Sequence, residues 1–200
     1  MTPRVATLAL SIALAAPAAA TAQHAGSAAA RPALAPAKEA AQFDFLIGQW
    51  DLTVTPKVSS LAARIHGAPR LLGTWKAWRA LDGFGIEDEL RIVDGSGNPS
   101  ALSHALRVYN ANDRKWVITG VDAYRGKSSS SSAEWRNGEM IATGQGTDQE
   151  GKAYLTRTRY FDITASSFKY QQDRSTDNGR TWEEGTVRIA AKRVATAAPR

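Results

Sequence analysis

Three ionisable side chains are predicted to lie on one face of a β-sheet. Asp82-Gly83 is a favoured two-residue hairpin turn, and pairing through it places Arg79 and Asp88 on the same face. Continuing the alternation through the next hairpin adds His104 to that face. Arg79 would hold the Asp88 carboxylate ionised, and a carboxylate beside a histidine can orient a ligand or act as a general base.

Three interpretations of this group remain open. It can be a satisfied buried salt bridge or a solvated face, a ligand-binding site, or the acid–base centre of a small-molecule hydrolase or isomerase that uses Asp88 and His104. A one-residue slip in register would turn every member to the other face. The sequence has no metalloprotease, nucleophile-elbow, Walker or dinucleotide motif before a helix. We therefore assign no catalytic residue and expect a protein that is not an enzyme.

Aromatic and hydroxyl side chains form a second candidate lining. Tyr154 and Tyr160 alternate with the basic residues of one strand, and Tyr170 is expected to join them from the next strand. Such a lining suits a pocket for an amphipathic small molecule. The alternative is that these side chains are simply part of the core.

Composition limits the possible partners and cofactors. The chain has 200 residues, no cysteine and three histidines, which excludes disulfides and thiolate ligands and disfavours a histidine-based metal site. The formal charge is +6, but the basic residues are scattered along strands, which indicates a solvated surface and no nucleic-acid site. We expect no metal and no cofactor.

The N-terminus has the pattern of an export signal. Arg4 precedes an apolar stretch over residues 5–16, and Ala20-Thr21-Ala22 offers a cleavage site. The sequence thus predicts a signal peptide over residues 1–22 and an Ala/Pro-rich disordered linker over residues 23–41. A folded domain over residues 42–194 and a tail over residues 195–200 follow. No later stretch is apolar enough for a membrane span, so we expect a soluble periplasmic or secreted protein.

The folded domain is predicted to be all-β. Period-two alternation recurs between turn signals about eight to twelve residues apart, which favours an antiparallel barrel or sandwich of roughly ten short strands. Gly48-Gln49-Trp50 resembles the G-x-W pattern that opens lipocalin-like barrels. The resemblance implies an up-and-down barrel of about 8–10 strands, with Trp50 at the closed end. It also implies an arginine near the end of the last strand, here Arg193, packed against that tryptophan.

A second resemblance covers nearly the whole domain. The segments that carry it are FDFLIGQW from Phe43, Leu81-Asp82-Gly83, Arg107-Val108-Tyr109-Asn110, and DNGRTW from Asp177. They resemble uncharacterised exported bacterial proteins with the domain of unknown function numbered 1579, which implies a lipocalin-like fold but no activity. Haem-binding nitrobindin barrels are more distant, since this chain lacks their later glycines and a late histidine.

The segment STDNGRTW from Ser175 fits the S-x-D-x-G-x-T-W pattern of the Asp-box found in sialidase-type propellers. Because propellers need several copies and this chain has one, we interpret it as a stabilised hairpin. Asp177 is expected to bind the turn backbone, Gly179 to supply a positive φ, and Trp182 to anchor the hairpin.

Two functions from different classes follow from this sequence. The first is non-covalent binding of a small hydrophobic or amphipathic molecule inside the barrel. The second is an envelope structural or interaction protein whose barrel is filled by its own side chains. An interior cavity above ~300 Å³ would favour the first. The oligomeric state and the choice between periplasm and exterior stay open.

Overall fold

Alternating apolar and polar residues along the chain produce strands with one buried and one exposed face. A computed structural model describes residues 34–58, 69–148 and 150–195; the predicted signal peptide and most of the predicted linker and tail lie outside these residues. Within them the chain forms ten strands: β1 (Gly48–Pro56), β2 (Leu71–Ala80), β3 (Gly85–Val93), β4 (Pro99–Asn110), β5 (Lys115–Asp122), β6 (Lys127–Arg136), β7 (Glu139–Thr147), β8 (Ala153–Phe161), β9 (Ser167–Ser175) and β10 (Glu183–Arg193).

The strands form a closed antiparallel up-and-down barrel, as a lipocalin-like fold requires. Each strand pairs with its neighbours in the chain, and β1 pairs with β10 to close the ring. Short turns make this possible: Asn137 and Gly138 both have positive φ between β6 and β7, the geometry that matches strand twist in a tight hairpin. The predicted fold class is therefore confirmed.

The β2–β3 connection keeps the predicted register but not the predicted turn. Ala77 pairs with Asp88, and Ala80 pairs with Gly85. The connection between them is the four-residue segment 81–84 instead of a two-residue turn, with Leu81 and Asp82 both at positive φ. An even number of loop residues preserves the parity, so Arg79 and Asp88 do share the inner face.

The β3–β4 pairing contains a register shift that the sequence pattern did not reveal. Ile92 pairs with Ala101, whereas Val93 pairs with Pro99. A bulge of this kind adds one residue to one strand and exchanges the inward and outward faces beyond it. As a result Asp88 pairs with Ala105, and the odd-numbered residues of β4 from Ala101 to Tyr109 point inward.

One end of the barrel, which we call the closed end, is plugged by the segment before β1. Phe43, Leu46 and Trp50 are fully buried there, and the Trp50 indole donates to the Leu46 carbonyl at 2.7 Å. The Arg193 guanidinium lies 4.0 Å from the centroid of the Trp50 ring. The predicted contact between Trp50 and Arg193 is present.

Arg193 also fastens the plug to the barrel. Its guanidinium donates to the carbonyls of Phe45, Ile47 and Ala165. Gly48 has φ 124°, and a Cβ at this position would collide with the Arg193 guanidinium. The glycine of the G-x-W pattern is thus explained by both its backbone angle and the arginine that covers it.

The packed region extends to the N-terminal side of residue 42. Lys38–Ala41 and Asp44–Leu46 form single 3₁₀ turns, and Ala40 is buried in the core. The Trp116 indole donates to the Gln42 side chain at 3.1 Å. The end of the predicted linker is therefore part of the plug. Across the described ranges, no helix reaches the length and apolarity that crossing a bilayer requires.

Candidate ligand-binding cavity

The barrel interior contains a cavity of about 880 Å³ above the plug. Its deepest part lies next to the closed end, and it opens at the opposite end, which we call the mouth. Its apolar lining includes Trp75, Leu90 and Ile118, and its polar lining includes Asp88 and Arg107. This volume lies within the range of small-molecule sites, and a mixture of apolar walls with a few polar groups is typical of them.

The base of the cavity holds a buried ion pair. The Arg107 guanidinium, through Nη1, contacts Oδ2 of Asp88, and both side chains are only 4% exposed. Oδ1 of Asp88 accepts a hydrogen bond from Trp75 Nε1 at 2.7 Å. Burial of either charge alone would be strongly unfavourable, so each makes the other tolerable.

The ion pair leaves hydrogen-bonding capacity on the arginine unused. A guanidinium has five N–H donors, yet among the described residues the Nε atom of Arg107 has no hydrogen-bond partner. The guanidinium carbon lies 5.3 Å from the centroid of the Phe43 ring, which places it directly above the plug. Arg107 is therefore a buried, incompletely satisfied donor that lines the cavity.

Two tyrosines form the opposite side of the cavity base. The rings of Tyr160 and Tyr170 pack edge to face with centroids 5.2 Å apart, and the Tyr170 hydroxyl accepts from Gln172 at 3.2 Å. Burial raises the pKa of Tyr170, and Tyr160 adds to the rise, while a hydrogen bond with Thr158 and the charge of Arg107 oppose it. Tyr170 therefore stays a neutral hydroxyl.

A wall of small residues leaves the space open. Gly120, Ser129 and Gly146 line the cavity on β5, β6 and β7. A Cβ on Gly146 would come within 2.6 Å of the Tyr154 ring, so this glycine allows Tyr154 to lie against the strand. The other face of Tyr154 is covered by Arg174, whose guanidinium carbon is 3.8 Å from the ring centroid.

Charged residues that line the cavity above its base lie at the mouth. Arg125 binds Asp122 at 2.6 Å, and Arg174 lies 3.6 Å from Asp148. Lys127 reaches the Thr147 hydroxyl at 3.4 Å. These groups neutralise one another close to solvent, so the mouth has no strong preference for one sign of charge.

The structure separates the three ionisable residues that the sequence grouped together. Asp88 lies at the cavity base, but His104 is on the outer face, half exposed and 3.9 Å from Glu87. Arg79 points into the closed end, where it donates to the Ala40 carbonyl at 2.9 Å and pairs with Asp44. The predicted Arg79–Asp88 ion pair and the predicted inward position of His104 are both wrong.

The bulge at Ile92 and Val93 explains why His104 was predicted to point inward. Without it, Leu102, Leu106 and Val108 would face inward together with His104, and this apolar set made that choice attractive. The shift instead turns Arg107 inward. The signal that could have identified it is the next hairpin, in which Arg107 pairs with the buried Ile118.

The three predicted lining tyrosines do share the inner face. Tyr154, Tyr160 and Tyr170 all line the cavity, and Tyr160 pairs with Tyr170 across β8 and β9. Their shared face agrees with the alternation in the sequence because β8 and β9 pair without a register shift. Whether they contact a ligand stays a prediction.

The Asp-box segment is a hydrogen-bonded turn. Asp177 accepts from the Thr181 hydroxyl at 2.6 Å, from the Thr181 amide at 2.9 Å and from the Ser175 hydroxyl at 2.8 Å. These bonds lower the pKa of Asp177 to about 2. Gly179 has φ +86°, and Trp182 lies under the Arg157 guanidinium at 4.7 Å. The segment stabilises the β9–β10 connection, outside the cavity.

Neither a family model nor a curated protein matches this chain. The family resemblance described above therefore stays a prediction. A functional assignment depends on the cavity and on the residues that line it.

Proposed function

We propose that this protein binds one small amphipathic molecule, non-covalently, inside its barrel. The observation that carries the proposal is the cavity of about 880 Å³, whose lining combines aromatic rings with a few buried polar groups. The fold alone would support this only by analogy. The cavity adds a space of suitable size and a buried donor, Arg107, that lacks a full set of partners.

Two other functions receive less support from the same residues. An envelope structural protein with a filled barrel would need the interior to be occupied by side chains, and the wall of Gly120, Ser129 and Gly146 leaves it open. A hydrolase or isomerase that uses Asp88 and His104 would need both on one face, and they lie on opposite faces. We propose binding without catalysis.

We also propose that the protein acts outside the cytoplasm, in the periplasm or as a secreted protein. The support is the sequence of the first 22 residues, with Arg4, an apolar stretch and a small-residue cleavage site. A carrier in that location would need a fold without open sheet edges, and a closed barrel provides one.

Binding can be tested with N-phenylnaphthylamine, a neutral dye that fluoresces in apolar surroundings. We expect the wild-type protein to bind the dye with saturation at one site. Ser129 lines the cavity on β6, so Ser129→Trp should fill part of the space and weaken dye binding about tenfold or more.

The matched control is Ser130→Trp. Ser130 is the next residue on the same strand and therefore points to the outer face. We expect it to leave dye affinity within about twofold of the wild type, with both variants keeping the circular dichroism spectrum of the wild type. Equal dye binding by all three proteins, or none by the wild type, would contradict the proposed site.

A further inference from the structure

We infer that the cavity selects a molecule whose deep polar end is an uncharged hydrogen-bond acceptor, such as an amide or ketone oxygen, over one that ends in a carboxylate. This inference rests on the proposed function and specifies its ligand class. It follows from the charges at the cavity base, where an arginine is present but its charge is already neutralised.

The charge balance at the base is the first step. Asp88 and Arg107 are both about nineteen-twentieths buried and in direct contact, so together they carry no net charge. His104 is also on the cavity wall, but its side chain lies on the outer face beside Glu87. The remaining ionisable residues of the lining, apart from the tyrosines, are at the mouth: Asp122, Arg125, Lys127, Asp148, Glu150 and Arg174. A ligand carboxylate at the base would put two negative groups beside one positive group, away from water, which is unfavourable.

The available donors are the second step. Trp75 Nε1 is already bound to Asp88, whereas Arg107 lines the cavity and contacts Asp88 through Nη1. Because Nε of Arg107 is enclosed by protein, the N–H groups that remain for a ligand are those on the Nη atoms. Tyr170 stays protonated because burial raises its pKa, so its hydroxyl remains a neutral partner. A neutral oxygen can accept from these groups without adding charge.

The aromatic rings that line the cavity are the third step. Trp75, Tyr160 and Tyr170 bring three rings to the same region, with Trp75 and Tyr170 centroids 6.2 Å apart. Aromatic rings pack well against such surfaces in edge-to-face or offset geometry. An aromatic amide is therefore a suitable probe for this site.

The experiment compares naphthamide with naphthoate by isothermal titration calorimetry at about pH 8, where the carboxylate is ionised. The two probes have nearly the same shape and differ in charge. We expect the wild-type protein to bind the amide at least about tenfold more tightly than the carboxylate. Tighter binding of naphthoate would overturn the inference and leave the proposed function intact.

Asp88→Asn provides the decisive variant. Asparagine keeps an oxygen that accepts from Trp75 but removes the negative charge, so Arg107 becomes an uncompensated cation. We expect this variant to bind naphthoate more tightly than naphthamide, which reverses the wild-type order. An unchanged order in a folded variant would overturn the inference; where the variant does not fold, the wild-type comparison decides alone.

Asp51→Asn is the control for a general effect of charge. It also removes one negative group, but on the exposed outer face of β1, and should leave the wild-type order unchanged. Dye binding distinguishes failure of the inferred ligand class from failure of the proposed function. Dye binding without naphthamide binding rejects the ligand class, whereas absence of both rejects the cavity as a binding site.

Discussion

The Asp177 side chain shows how one carboxylate organises a turn. It accepts hydrogen bonds from the Thr181 hydroxyl and amide and from Ser175, and these bonds favour its ionised form. Its pKa is accordingly lowered from 3.8 to about 2. A carboxyl group with a lowered folded-state pKa contributes stability above its unfolded pKa and loses it as the pH falls through the folded value.

We therefore expect Asp177→Asn to lower the melting temperature at neutral pH. The difference from the wild type should shrink as the pH falls from about 4 to about 2, because the wild-type carboxylate then becomes protonated. Thermal unfolding followed by circular dichroism measures this. Asp51→Asn, an exposed carboxylate elsewhere on the barrel, should show no such convergence; equal pH dependence of both variants would contradict the role of the turn.

The face of the sheet on which a side chain lies was predictable where it depended on the alternation within a single strand. Arg193 and Trp50 could be paired because the G-x-W resemblance implied their contact and alternation along the last strand predicted an inward Arg193. Arg107 could not be found in this way, because its face depends on a bulge in the β3–β4 hairpin, the one that follows the Asp82-Gly83 turn. The outward-facing Leu102, Leu106 and Val108 made the wrong face look like the core.

The segment before β1 acts as a separate structural element, although it has no regular secondary structure beyond two 3₁₀ turns. Phe43 is fully buried, and its ring packs edge to face on Trp116 with centroids 4.9 Å apart. It also supports Arg107 from below. The plug is thus both the end of the core and the base of the cavity.

We expect Phe43→Ala to lower the free energy of unfolding by about 3–5 kcal/mol, since it removes a large buried ring. Urea unfolding followed by tryptophan fluorescence measures the change. Phe161→Ala is the matched control: Phe161 is a partly exposed ring on the outer face of β8, and its loss should cost about 1 kcal/mol or less. Equal effects of the two substitutions would show that the plug is not part of the core.

Elements were predictable from the sequence where turn chemistry and alternation agreed. Asn137-Gly138 fixed the β6–β7 hairpin, and β8 and β9 kept their tyrosines on the inner face. The start of the plug, Lys38–Ala41, was assigned to the linker because its alanine-rich composition resembles one. Only tertiary contacts, such as the burial of Ala40, distinguish it from one.

Export is a property of the whole chain, and the predicted cleavage after Ala22 gives it a direct test. Mass spectrometry of the protein purified from its own host should show a mature chain that begins at Gln23, in the periplasmic or extracellular fraction. The mass of the full 200 residues in the cytoplasmic fraction would contradict the export proposal. The fold itself is independent of this result, because the barrel and its plug lie after the predicted cleavage site.

Closure of the barrel by β1 and β10 has a consequence for the chain while it is still being synthesised. Strands that are neighbours in the chain can pair as soon as both have been synthesised, but β1 must wait for the last strand, from Trp50 opposite Arg193 to Pro56 opposite Val187. Until then one side of β1 and one side of β9 are open edges, which invite pairing with other chains. A truncated copy is therefore recognisable by protease or chaperone as incomplete, because only the final eleven-residue strand hides both edges.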